Sequence, residues 1–220
     1  MTLAVDLFWS FRSPYSYLAT PRIRALERAW DLSVNVRPVR PLALREDDFF
    51  ESRGRRWVEY LLIDVARLGE FLGVPIAPPD PDPVAIDPDT GAPAADQSRV
   101  MRLTRLGVAA AEAGRGLAFL DAASRLIWSG ERWTEPGRLA AALKPEGIDL
   151  AALEAVVDSE AERVEAVIAD NEAALAAAGH WGVPTLVFDG EPFFGQDRIE
   201  LCLWRMKQAG LKPRNEEPRA

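Results

Sequence analysis

Two short stretches, far apart in the chain, carry the residue types that could do chemistry. Ser13-Pro14-Tyr15-Ser16 opens an amphipathic segment, and Gly182-Val183-Pro184-Thr185 leads into a short apolar run. Serine followed by proline is a helix-start signal. The hydroxyl caps free backbone N–H groups, and proline needs no N–H at the first helical position. A helix start also presents unpaired N–H groups and the positive end of the helix dipole, which favour an anion such as a thiolate. A free thiol titrates near 8.5, and lowering it by about 2 units takes only about 2.7 kcal/mol. A hydroxyl hydrogen bond added to the helix end is of that size. The chain's own sulfur is a poor candidate. Cys202 is the single cysteine, so an intrachain disulfide, a C-x-x-C motif and a cysteine zinc cluster are all excluded. It falls on a mostly apolar stretch, as a buried, inert thiol does. His180, the single histidine, lies just before Val183-Pro184 and reads as structural.

Composition narrows the partner. The 220 residues carry a net charge of −8, with 48% hydrophobic residues and seven tryptophans. The sequence pI is near 4.9. An acidic chain lacks the basic stripe that nucleic acid needs and the polybasic patch that an anionic membrane attracts. A small molecule is the expected partner. The first residues, MTLAVDLFWSFR, lack a basic region and are interrupted by Asp6, so they read as a strand, not a signal peptide. No stretch approaches the roughly 18 apolar residues of a membrane span. Together with a lone cysteine, this suggests a reducing cytoplasm. Asp80, Asp82, Asp87 and Asp89 are broken by prolines and lack the glycine and distal glutamate of a calcium loop, so a solvated acidic loop is expected.

The elements that must position the two motifs follow from the periodicity. Residues 3–9 read as a buried strand, residues 14–30 as a helix with Tyr17, Ile23, Leu26 and Trp30 inward, and residues 32–36 as a second strand stopped by Pro38 and Pro41. That is a βαβ unit, right-handed by rule. Trp57, Leu61, Val65, Leu68 and Leu72 recur at helical spacing, residues 76–96 form a Pro- and Asp-rich loop, and residues 97–178 are helical with breaks at 114–116, 129–136 and 144–147. Residues 185–189 and 192–195 read as a hairpin with its turn at Gly190-Glu191. Residues 197–209 form a last helix, with Ile199, Leu201, Leu203 and Trp204 inward.

The order β-α-β, helical block, β-β-α is an α/β, thioredoxin-like fold with a large all-helical insertion between its βαβ and ββα halves. The division is residues 1–40 with 178–211, an insert at 41–177, and a polar tail at 212–220. In that topology Ser13-Pro14-Tyr15-Ser16 stands where a redox protein keeps C-x-x-C. Val183-Pro184 is then expected to be cis, a state of only about 5% of X–Pro bonds. The residue before such a proline can pair with an extended peptide as a strand edge does. Trp9, Phe11, Tyr15 and Trp181 are candidates for an aromatic pocket, Trp9 more as strand packing.

Phe11 to Leu18 (FRSPYSYL) and Gly182 to Arg198 (GVPT followed by GEPFFGQDR) resemble the 2-hydroxychromene-2-carboxylate isomerases and the kappa-class glutathione transferases, within the DsbA-like thioredoxin folds. The resemblance is strong over residues 3–40 and 178–209, and covers the middle only in layout. It implies glutathione as cofactor, with Ser13 holding the glutathione sulfur, Pro14 and Tyr15 completing the same turn, and Val183 beside Pro184 pairing with the cysteinyl backbone. It further implies that Gln196 and Asp197 bind the γ-glutamyl end, and that the protein is a homodimer. The family often has an asparagine in the loop after strand two. Here residues 41–57 hold none, and Arg53, Arg55 and Arg56 stand there instead, with Arg53 and Arg56 as carboxylate-binding candidates beside Trp181. The activity implied is glutathione-dependent cis–trans isomerisation of an aromatic 2-oxo acid. The alternatives are a kappa-class transferase and a redox-silent peptide-binding domain.

Overall fold

The computed structural model describes residues 2–46, 49, 54–87 and 91–214, the Arg55 side chain excepted. Arg53, Asp89 and the Arg55 side chain, singled out above, lie outside the described residues.

Strand β1 (Leu3–Trp9) runs parallel to β2 (Leu32–Pro38) through helix α1 (Pro14–Ala29). β3 (Thr185–Phe188) pairs antiparallel with β1, and β4 (Glu191–Phe194) with β3, which gives the order β2-β1-β3-β4. This is the thioredoxin-like arrangement. Between the halves lie α2 (Gly54–Leu72), α3 (Ser98–Glu112), α4 (Gly116–Ile127), α5 (Arg138–Leu143), α6 (Leu150–Ser159) and α7 (Ala161–Ala177). A 3-10 turn at Gln196–Arg198 leads into α8 (Ile199–Gln208). Among the described residues no helix is long and apolar enough to cross a membrane.

Three local expectations shift. β2 continues through Pro38, because an edge strand tolerates proline as its last residue, where no outward N–H is needed. The hairpin turns at Asp189-Gly190, with φ of 51° and 77°, and Glu191 already belongs to β4. Both central residues of such a turn need positive φ, which Asp and Gly tolerate and Glu does not. In α8 the buried residues are Ile199, Cys202, Leu203 and Met206, whereas Leu201 and Trp204 are half exposed. The helix starts at Ile199, and its inward face recurs three, four and seven residues on from there.

The core reaches the site through β1. Trp9 and Phe11 are fully buried edge to face, with centroids 4.6 Å apart, and Phe11 meets Phe119 of α4 at 5.9 Å. Trp9 Nε1 donates to Thr20 Oγ1 and Thr20 in turn to the Ser16 carbonyl, which ties β1 to the first turns of α1.

Candidate active site

Ser13 caps α1, its Oγ accepting the Ser16 N–H at 3.2 Å. Its carbonyl accepts the Tyr17 N–H. Pro14 has no N–H, so the Tyr15 N–H is left at the mouth of the helix. The first turn holds no acidic residue to offset the dipole. Val183–Pro184 is cis, and the Ser13 hydroxyl donates to the Val183 carbonyl at 3.3 Å. The two motifs therefore face each other across about one bond. That bond is long for O–H···O, whose usual range ends near 3.0 Å. The hydroxyl is thus weakly held and can turn to a better acceptor while Oγ keeps its cap.

Ser13, Tyr15 and Val183 open onto a cavity of about 310 Å³. Its walls are apolar and largely aromatic: Trp57 and the aliphatic Leu61 come from α2, and Trp181 and Phe194 from either side of the cis-proline strand. His180 stacks on Phe194 with centroids 4.1 Å apart and on Trp181 at 5.2 Å. A Cβ at Gly182 would sit 2.5 Å from Phe194 Cε2, so any larger residue there would push the Phe194 ring out of its place on the cavity wall. Of the four aromatics expected here, Tyr15 and Trp181 line the cavity, while Trp9 and Phe11 belong to the core. Trp57 and Phe194 are additions. The alternation of β4 gives Phe194 away, since buried Phe193 must point the other way.

Charged anchors hold this frame. Arg12 makes a two-pronged contact with Asp82, at 2.8 and 3.2 Å, so one residue of the acidic loop is a structural partner of the Ser13 turn. The Tyr15 hydroxyl donates to Asp64 Oδ2 at 2.9 Å. Burial first, then Asp64, pushes the Tyr15 pKa well up, so it stays a neutral phenol. Arg45 donates to the carbonyls of Arg40 and Trp181, each at 2.9 Å, and straps the loop after β2 to the loop before Pro184. Burial holds its pKa down.

His180 packs beside the cavity, and its ring makes one backbone contact. Its Nδ1 accepts the Gly182 N–H at 2.9 Å, which requires that nitrogen to carry no proton. Burial lowers its pKa. The sign follows: neutral His180 contributes stability that is complete above the unfolded value near 6.5 and is lost as pH falls through the lower folded value. An NMR titration of this single histidine is expected to give a midpoint below about 6.5. A midpoint at or above that value would contradict the Gly182 contact.

The Gln196-Asp197 turn adjoins the cis-proline loop, since the Gly195 N–H donates to the Pro184 carbonyl at 2.8 Å. Gly195 has φ of 101°, and a Cβ there would meet Asp197 Oδ1 at 2.6 Å, so glycine sets this turn. Gln196 Oε1 and its carbonyl accept from Arg22, and Asp197 pairs with Arg198 at 2.7 Å. Neither lines the cavity, although Asp197 lies close enough to raise the Tyr15 pKa slightly. Arg56 is exposed on α2 and does not line the cavity; its neighbour Trp57 does.

The family model for the DSBA-like thioredoxin domain matches residues 4–207. The chain belongs to that family. As a DSBA-like domain it has serine where disulfide chemistry would need a cysteine, and its only thiol, Cys202, is buried with its pKa pushed up to about 12 by burial. The chain is 27% identical over 221 residues to human glutathione S-transferase kappa 1, covering 95% of this chain and 93% of that one. Among solved structures it resembles a 2-hydroxychromene-2-carboxylate isomerase, with a TM-score of 0.68, 20% identity, and coverage of 94% of this chain and 96% of that one. It also resembles the cytosolic disulfide reductase DsbM from Pseudomonas aeruginosa with GSH, with a TM-score of 0.61, 16% identity, and coverage of 94% and 100%. These two likenesses are likenesses of fold.

Proposed function

We propose that this protein is a glutathione-dependent enzyme that isomerises an aromatic, conjugated 2-oxo acid. The observation that carries the reading is the Ser13 hydroxyl, at an uncapped-by-acid helix mouth, set against the Val183 carbonyl at the floor of an aromatic-walled cavity. The kappa-class relative and the glutathione named with DsbM support the choice of cofactor.

Bound glutathione would supply a nucleophilic sulfur for reversible addition to a conjugated double bond, and would be recovered unchanged. The chain's residues do the rest. Ser13 turns its hydroxyl from Val183 to the sulfur, and the Tyr15 N–H and the α1 dipole hold the negative charge. The Val183 carbonyl, released from Ser13, accepts the cysteinyl N–H, with Pro14 and Pro184 shaping the two facing turns. Asp197 exchanges Arg198 for the ligand's α-ammonium, and Gln196 is held in place for the γ-glutamyl carboxylate by Arg22. Residues 1–40 and 178–211 thus carry glutathione, and the insert contributes Trp57 and Leu61 which, with Trp181, form a wall for a flat aromatic ring. Reducing cytoplasm suits a chain whose single cysteine is buried.

The test mixes a conjugated benzylidenepyruvate with the protein and a small amount of glutathione. The expected result is turnover far beyond the glutathione added, with all of it recovered as free thiol. Product in one-to-one proportion to glutathione consumed would make the protein a transferase. Absence of both reactions, with extended peptides bound, would leave a binding domain.

A further inference from the structure

Residues 178–184 run from the end of α7 to β3, and Trp181, Gly182 and Val183 among them line the cavity. Local bonds shape this loop. The Gly182 N–H donates to His180 Nδ1 at 2.9 Å, and the Gly182 carbonyl accepts the Thr185 hydroxyl at 2.7 Å. Bonds between such near neighbours set the curve of a turn and leave its place in the molecule open. Bonds from distant residues set that place. Ser13 reaches the Val183 carbonyl at 3.3 Å, and Arg45 reaches the Trp181 carbonyl at 2.9 Å.

The Ser13 bond is the one that must open when the hydroxyl turns to the sulfur. The Val183 carbonyl then has to stay where it is to accept the cysteinyl N–H, and the Arg45 bond is untouched by that exchange. Arg45 is itself well anchored. Its planar guanidinium presents donors in a fixed fork, and its Nε donates to the Arg40 carbonyl at 2.9 Å. Arg40 is held in turn by Glu172 of α7, through its backbone N–H at 3.0 Å and its guanidinium at 2.9 and 2.5 Å. α7 also leads into the loop, where the His180 N–H donates to the Leu175 carbonyl at 3.3 Å. The contacts close a ring: α7 to Arg40, Arg40 to Arg45, Arg45 to Trp181, and back along the chain to α7. Linked hydrogen bonds hold a loop more firmly than separate ones, and an acceptor already in place spares the ligand the cost of ordering it. We propose that Arg45 is a positioning residue for glutathione: through the Trp181 carbonyl it keeps the Val183 carbonyl in place while Ser13 leaves that carbonyl for the sulfur. This role rests on the glutathione reading given above.

Arg45→Met removes both donors and keeps an unbranched chain. Calorimetry with reduced glutathione is expected to show binding roughly 10-fold weaker, the size of one hydrogen bond. The maximal rate at saturating glutathione should change less than about 2-fold, because lost binding energy that is equal in ground and transition states raises KM alone. Arg45→Lys keeps the charge and should recover part of the affinity. γ-Glutamylcysteine, which lacks the glycyl carboxylate, should lose the same factor as glutathione in Arg45→Met. Amide hydrogen exchange of the ligand-free protein reads the strap without any thiol. Residues 180–183 should exchange at least ~10-fold faster in the variant, with β1 and α1 unchanged. Circular dichroism checks the fold, and Glu172→Gln, which loosens Arg40, should shift exchange and affinity in the same direction if Arg45→Met does not fold. Unchanged exchange or unchanged affinity would overturn this role alone. A loss confined to glutathione would overturn it too, since Arg45 would then touch the glycyl carboxylate. A wild type that binds no glutathione would overturn the functional reading and this role with it.

Discussion

Replacing Ser13 by alanine is expected to raise the pKa of bound glutathione by about 1–2 units, because a hydrogen bond to a charged group contributes about 1.5–3 kcal/mol. From a wild-type value of about 6.5, the thiolate fraction at neutral pH, and turnover with it, should fall about 3- to 25-fold. The ultraviolet absorbance of the thiolate follows the first quantity directly. The variant should still fold, since loss of the Ser16 cap costs about 1 kcal/mol against a typical stability of about 5–15 kcal/mol. Residual activity is expected, because the Tyr15 N–H and an acid-free first turn of α1 remain to hold the sulfur's charge. The rate loss should therefore shrink at higher pH, where even the variant's thiol ionises. A slow variant with an unchanged thiolate titration would mean that Ser13 positions the substrate and not the sulfur.

The parts of this site that could be read from the sequence are those in which local chemistry dictates geometry. Ser13-Pro14 specified a helix start because a cap and a missing N–H act within one turn. The facing Val183-Pro184 followed from the element order, since β3 must return beside β1 for the sheet to close. What stayed hidden depends on long-range packing. Nothing local tells Asp82 that it will meet Arg12, seventy residues earlier. Tyr15 finds Asp64 only because α2 lies across the mouth of α1. Trp57 fits an inward helical stripe by spacing alone, yet the cavity lies on its side of α2 and leaves it 44% exposed. Leu201 and Trp204 were misplaced for a related reason. The turn at Gln196–Arg198 delays α8 by two residues, and that rotates its inward face.

Phe11→Ala is expected to have the largest effect on stability, a loss of about 3–5 kcal/mol, the usual cost of a phenylalanine cavity in a core. Phe11 has no exposed surface, lies edge to face with both Trp9 and Phe119, and is approached closely by the backbone of Gly107, where a Cβ would be 3.1 Å from its ring. Such a fit leaves little freedom for neighbours to move into the space. Urea unfolding followed by tryptophan fluorescence measures the loss. The site should suffer as well, because Phe11 lies two residues before Ser13 and anchors the turn that carries it. In water the folded fraction should therefore bind glutathione more weakly than the wild type does. Phe11→Leu separates the two effects: it refills most of the volume and should recover most of the stability, while the turn regains its anchor and the affinity returns. A Phe11→Ala loss below about 1 kcal/mol would fall under the range for core truncations and would show that the Trp9–Phe119 layer collapses into the gap, so that Phe11 does not fix the position of Ser13.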